Sequence, residues 1–133
     1  EAGGVRFVND SKSTTAMSTV AAIQRFDQGI VLLVGGRRKQ KSFREVFAEV
    51  RRRVRHIVFY GEAGESMSRE FSFFKDRSVV KDFDPAVREA FRAAKSGQVL
   101  LLSPMCSSFD QFSSYRERGD EFRRIFGDIA SRA

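Results

Sequence analysis

Apolar residues recur along the chain with two alternating periods, one that suits strands and one that suits helices. Val5 to Val8 reads as a short strand, and Asp10, Ser11, Ser13 and Thr14 offer N-caps for a following helix. Ala16, Val20 and Ile23 share one face of that helix, with Met17 beside them, and it stops near Asp27-Gln28-Gly29. Ile30 to Val34 is an uninterrupted apolar run into Gly35-Gly36, the pattern of a strand buried on both faces. Phe43, Val46, Phe47, Val50 and Val54 then follow the i, i+3, i+4, i+7 spacing of an amphipathic helix, and His56 to Tyr60 is a third strand ended by Gly61.

Between Ala63 and Phe74 a helical stripe of Met67, Phe71 and Phe74 is diluted by Ser66, Ser68 and Ser72, so this segment is the least defined. Ser78 to Val80 reads as a short strand. Asp84-Pro85 opens the next helix, with Val87, Ala90, Phe91 and Ala94 on its buried face, and Lys95-Ser96-Gly97 ends it. Val99 to Leu102 is a second wholly apolar strand, and Phe122, Ile125, Phe126 and Ile129 form the stripe of a last helix. Strands alternating with helices predict an α/β fold, a Rossmann-like three-layer α/β/α sandwich with a mostly parallel sheet. In such sheets ligands bind beyond the carboxyl ends of the strands. That directs attention to the loop after Leu102, which Ser103-Pro104 opens and Cys106-Ser107-Ser108 continues.

The length of 133 residues fits one domain with its own core. No apolar run approaches the ~20 residues of a membrane span, so no membrane partner is expected. A single cysteine, Cys106, excludes an internal disulfide and fits a reducing compartment. The start, Glu1-Ala2-Gly3-Gly4, has no initiator Met and no signal pattern, as expected of a piece of a longer chain. A net charge of +7 raises nucleic acid and anionic membrane as partners. The charge concentrates in Arg37-Arg38-Lys39-Gln40-Lys41 and in Arg51-Arg52-Arg53-Val54-Arg55, the second at the end of a predicted helix, where cations suit the dipole. Because the Phe residues sit in helix stripes and leave no stacking surface, a basic nucleic-acid-binding module is the lesser alternative.

The segment Gly35 to Ser42 has the place of a phosphate-binding loop but not its sequence, since Gln40 stands where a Walker A loop needs Gly before Lys41-Ser42. What remains is a glycine turn presenting Lys39, either as a solvated side chain or as an ammonium for an anionic group. Asp10 to Thr14 reads as a helix cap, a role compatible with anion binding. Ser108-Phe109 reads as a hydroxyl-rich loop before the last helix. Cys106 reads as packing, because the lone His56 belongs to a different segment, and no metal-ligand spacing occurs.

Three strings in order carry a family resemblance: Asn9-Asp10-Ser11-Lys12-x-Thr14; Gly35-Gly36-x-x-Lys39-x-x-x-Phe43; and Leu102-Ser103-Pro104-x-Cys106-x-Ser108-Phe109-Asp110-Gln111-Phe112 followed by Arg118-Gly119-Asp120-Glu121-Phe122. Together they resemble the bacterial Mur ligases, nearest to the branch that adds D-glutamate. The resemblance implies that residues 1–133 are the C-terminal, acceptor-binding domain of a three-domain cytoplasmic ligase of peptidoglycan synthesis, inactive when isolated. It implies that the full enzyme uses ATP and Mg2+, bound mainly by a central domain absent from this chain. The alanine carboxylate of UDP-N-acetylmuramoyl-L-alanine becomes an acyl phosphate, which the amine of D-glutamate attacks. By the same resemblance Thr14, Lys39, Ser108, Phe109 and Tyr115 bind D-glutamate, Asp10 and Lys12 approach ATP, and no residue of this chain is catalytic or binds metal. Three departures from the family pattern are Thr15 for the usual Asn, Tyr115 where Phe is frequent, and Arg37-Arg38 for Asp-Gly or Asp-Lys. A Mur-type or folylpolyglutamate-type ligase with another acceptor is the alternative within the family.

Overall fold

The computed structural model describes residues 1–132. Five strands form one sheet: β1 (Arg6–Asn9), β2 (Ile30–Gly35), β3 (Val54–Tyr60), β4 (Arg77–Val80) and β5 (Val99–Leu102). Their order is β1-β5-β2-β3-β4 and every pairing is parallel. The wholly apolar runs explain the centre of this order. Every residue of β2 and β5 is buried, whereas the edge strands β1 and β4 keep exposed positions.

Alternate strand residues point to opposite faces, and the two faces have separate cores. On one side Leu32, Val34, Ile57, Phe59 and Leu101 pack against α1 (Ala16–Ile23), α2 (Phe47–Arg53) and α3 (Gly64–Glu70). On the other Val31, Leu33, Val58, Tyr60 and Leu100 pack against α4 (Phe83–Ala93) and α5 (Tyr115–Arg132). This is the three-layer α/β/α sandwich expected. Because β5 lies between β1 and β2 but leads to a helix on the other face, the chain parts at its carboxyl end and opens a crevice there.

Several boundaries differ from the pattern reading. Helix α1 is capped by Thr15, not by Asp10, Ser11, Ser13 or Thr14: Thr15 Oγ1 accepts from the Ser18 N–H at 3.2 Å in a capping box. Met17 is exposed and Thr19 takes its place in the core. The stripe from Phe43 to Val54 is a 3-10 turn (Arg44–Val46) leading into α2, and Val54 already belongs to β3, where pairing with Ile30 ends the helix. Helix α4 starts at Phe83, so Asp84 and Pro85 lie inside its first turn, where Pro is tolerated because those N–H groups have no helical acceptor. Instead the Phe83 N–H donates to Gln111 Oε1 at 3.1 Å. Among the described residues no helix is long and apolar enough to cross a membrane.

Candidate functional site

Three loops meet at the carboxyl ends of β1, β2 and β5. The loop after β2 is held by close backbone approach. Arg37 and Ser107 exchange two hydrogen bonds of 3.0 and 3.1 Å, and the Gly35 N–H donates to the Pro104 carbonyl at 3.1 Å. Gly36 has φ +125°, and a Cβ there would lie 2.2 Å from the Ser107 carbonyl oxygen, so only glycine permits the contact. This joins the Lys39 loop to the loop bearing Ser108.

The basic run resolves into separate jobs. Arg38 turns inward, stacks on Phe43 at 4.8 Å, pairs with Glu70 and donates to the Gln40 carbonyl at 2.7 Å. Gln40 Oε1 accepts the Ala16 N–H at 2.7 Å at the start of α1. Arg37 makes a 3.4 Å exposed ion pair with Glu62. Lys39 is left as an exposed ammonium donating to Thr14 Oγ1 at 3.4 Å. Thus two of the residues assigned to the acceptor stand together, and the Arg37-Ser107 pairing brings the loop of the next two beside them.

On that loop Ser108 is buried, and its Oγ has no hydrogen-bond partner among the described residues. A buried hydroxyl without a partner carries a desolvation cost, so it is a group awaiting one. Phe109 beside it is 60% exposed, too much for a core residue. Asp110, Gln111 and Phe112 instead fasten the loop. Asp110 Oδ2 accepts the Glu62 N–H at 2.9 Å, Gln111 bridges Phe83 to the Lys81 carbonyl, and Phe112 packs edge-on against Phe83.

The other assigned residues lie on the β1 side. Asp10 accepts hydroxyls from Ser13 and Ser103, the latter at 2.8 Å, and is thereby fixed. Lys12 and Tyr115 line one open hollow of about 290 Å³ with Asn9, Arg116 and Arg123. Neither Thr14 nor Lys39 lines it, so Tyr115 is grouped with the nucleotide-assigned Lys12 and not with the acceptor pair. Lys12, Arg116 and Arg123 surround this hollow together with one carboxylate, Asp120, 3.9 Å from Arg123, which leaves it net positive. Among the described residues no group of three or more His, Cys, Asp or Glu is placed to hold a metal ion.

One residue central to this end of the sheet has no assigned role in the sequence reading. Arg118 is fully buried, and its guanidinium donates to Ser11 Oγ at 2.9 Å, the Ser11 carbonyl at 2.8 Å, Tyr60 Oη at 3.0 Å and the Cys106 carbonyl at 3.2 Å. It ties the loops after β1 and β5 to β3 and leaves a positive charge beneath them. The signal was present: Arg118, Phe122, Ile125 and Ile129 share one face of α5, so a cation occupies a core position of the stripe. Burial raises the Tyr60 hydroxyl pKa and pushes the Cys106 thiol up to about 12, both against the neighbouring Arg118 charge. Cys106 is therefore a protonated packing residue, its Sγ 3.5 Å from Met67 Sδ.

These observations define the class: a parallel three-layer α/β domain whose carboxyl edge gathers cations and hydroxyls. The model of the Mur ligase, glutamate ligase domain family matches residues 1–106, and the chain belongs to that family. UDP-N-acetylmuramoylalanine--D-glutamate ligases are similar to it along most of its length. The one from Geotalea daltonii is 42% identical over 98% of this chain and 29% of its own length. That from Salinibacter ruber is 43% identical over 91% of this chain and 26% of its own, and that from Bdellovibrio bacteriovorus 38% identical over 92% and 27%. The chain thus spans under a third of these relatives. A crystallised domain from Haemophilus ducreyi, assigned as a UDP-N-acetylmuramate:L-alanyl-γ-D-glutamyl-diaminopimelate ligase, shares the fold with a TM-score of 0.53 at 12% identity, over 98% of this chain and 94% of that one.

Proposed function

We propose that this chain is the acceptor-binding domain of a bacterial cytoplasmic ligase that uses ATP and Mg2+ to join D-glutamate to UDP-N-acetylmuramoyl-L-alanine. The observation that carries the reading is the Lys39 ammonium at the Thr14 hydroxyl, tethered beside a loop whose buried Ser108 Oγ lacks a partner. A dicarboxylic amino acid needs two anion sites. Lys39 with Thr14 holds one carboxylate, and Ser108 with the Phe109 backbone holds the other. Tyr115, apart from this pair, closes the β1 side of the site, and Lys12 and Asp10 meet the edge of the nucleotide.

The domain's contribution is positioning. Holding both carboxylates aims the amine at an activated carbonyl supplied by the rest of the enzyme, which makes attack effectively intramolecular. Acyl transfer releases phosphate and forms the amide without a nucleophile from this chain, in keeping with the protonated, buried Cys106. The fixed charge of Arg118 beneath the loops favours a dianion over a neutral acceptor.

The test is Lys39→Met in the full-length enzyme. It keeps most of the stem and leaves one partly desolvated acceptor carboxylate unpaired, at a cost of ~2–4 kcal/mol, or roughly 30- to 1000-fold in kcat/KM for D-glutamate. Apparent ATP affinity stays unchanged. Lys41→Met is the control, because it removes the same charge two residues away. Equal small losses in the two variants would refute the acceptor role of Lys39.

A further inference from the structure

The opposite edge of the sheet carries charge that the acceptor site does not use. The amino ends of β1, β5, β2 and β3 lie in register through Arg6, Val99, Ile30 and Val54, a row about 14 Å across. Arg6 opens β1, Lys95 lies just before β5, Arg25 lies in the turn before β2, and Arg55 is turned out at the irregularity where pairing shifts between Ile30 and Val31. All four are exposed. None forms a salt bridge among the described residues, in contrast to Arg53, which is neutralised by Asp27 and Glu49. Arg6 and Arg25 both stand over the ring of Phe26, at 5.4 and 5.7 Å, which limits their freedom before any partner arrives.

We propose that this amino edge is an electrostatic docking surface for an anionic phospholipid membrane. Guanidinium forks suit phosphate oxygens, and a row of cations along one sheet edge suits a plane of headgroups. Phe26 is only 5% exposed beneath its two arginines, so the face offers no ring for base stacking, which disfavours single-stranded nucleic acid. Among the described residues the exposed large apolar side chains are Met17, Val79, Phe109 and Tyr115, none of them in this row, so association is peripheral and sensitive to salt. Docking by this edge leaves the carboxyl edge, with Lys39 and Ser108, directed away from the membrane.

The experiment is co-sedimentation with vesicles of phosphatidylcholine alone or with one-third phosphatidylglycerol, at low and at physiological salt. The chain partitions onto the anionic vesicles only, and less so as salt rises. Arg6→Gln/Arg25→Gln/Arg55→Gln lowers the partition coefficient by roughly 100-fold, about fivefold per charge. Arg37→Gln/Arg123→Gln/Arg124→Gln makes the same change in net charge at exposed, already paired arginines on the loop after β2 and in the middle of α5, away from the amino edge, and leaves it within a few-fold. Arg55→Gln alone, at a side chain with no hydrogen bond to lose among the described residues, gives the fivefold step without risk to the fold. Equal losses in the two triple variants, binding to phosphatidylcholine alone, no binding by the unaltered chain, or tighter binding of poly-uridine RNA through the same three arginines would each overturn the proposal.

Discussion

Replacing Arg118 with Met tests whether one buried cation holds the site's loops together. The unbranched stem stays, and the guanidinium that reaches two carbonyls and two hydroxyls is lost. The Ser11 and Tyr60 hydroxyls can rotate toward other acceptors, but the carbonyls of Ser11 and Cys106 lose a donor in a buried setting. At ~1–3 kcal/mol for each unsatisfied group the loss is about 2–6 kcal/mol. Against this stands the relief of no longer burying a charge whose hydrogen bonds all go to neutral groups, which is worth several kcal/mol in the other direction before packing is considered. The fixed geometry of four donor contacts indicates that the hydrogen bonds win, with a net loss of about 2–3 kcal/mol, or roughly a 6–15 °C fall in Tm for a domain of this size. Arg116→Met, two residues away on the exposed side, changes Tm by less than about 2 °C. Calorimetry on both variants decides the matter. A Tm for Arg118→Met equal to or above that of the unaltered chain would show that the cation is tolerated, not required, and that the loops hold without it.

Ser108→Ala removes a hydroxyl that has no partner, so stability is unchanged or rises by up to about 1 kcal/mol while KM for D-glutamate rises in the full-length enzyme; a clear loss of stability by urea denaturation would show that the hydroxyl already has a structural role. Gly36→Ala places a Cβ 2.2 Å from the Ser107 carbonyl at φ +125° and costs at least about 2 kcal/mol in the same assay. His56, which shares a 2.9 Å hydrogen bond with Ser78, has its pKa lowered below 6.5 mainly by burial, against the pull of Asp76 and Glu89. The unfolded chain therefore takes up this proton first, and stability contributed by neutral His56 is lost as pH falls from about 6.5 toward its folded value. Urea titrations at stepped pH give a shallower acid slope for His56→Gln than for the unaltered chain.

The layers and the sheet edge that carries the candidate site were legible because they depend on local pattern. β2 and β5 announce themselves as apolar runs because both faces are covered, and a loop after a central strand is where a parallel sheet opens. Boundaries were harder wherever a neighbour in space overrules periodicity. Val54 continues the helical stripe of Val46 and Val50, but pairing with Ile30 takes it into β3. Arg118 was passed over for a related reason: it extends the stripe of Phe122, Ile125 and Ile129, but a guanidinium reads as a surface residue until the loops after β1 and β5 are seen to close around it.

The caps show most plainly what a linear reading cannot supply. Gln40 accepts the first N–H of α1 from 24 residues away, Gln111 accepts the first N–H of α4 from 28, and Asp110 accepts the Glu62 N–H, two residues ahead of α3, from 48. None of these could be found by searching for Ser, Thr, Asp or Asn immediately before a helix, which is why four candidates near α1 and the Asp84-Pro85 pair misled. Yet Asp110 and Gln111 lie within the string that carries the family resemblance, and Gln40 follows Lys39 directly. A motif that looks like a binding signature is thus partly a set of fasteners. Each long-range cap locks one functional loop to the start of a helix on a different element, and a 3.4 Å hydrogen bond from Lys39 to Thr14 joins two of these loops directly. Gln40, Asp110 and Gln111 thus act as fasteners between elements, whereas the Lys39 ammonium and the Ser108 hydroxyl are left for the acceptor role proposed above.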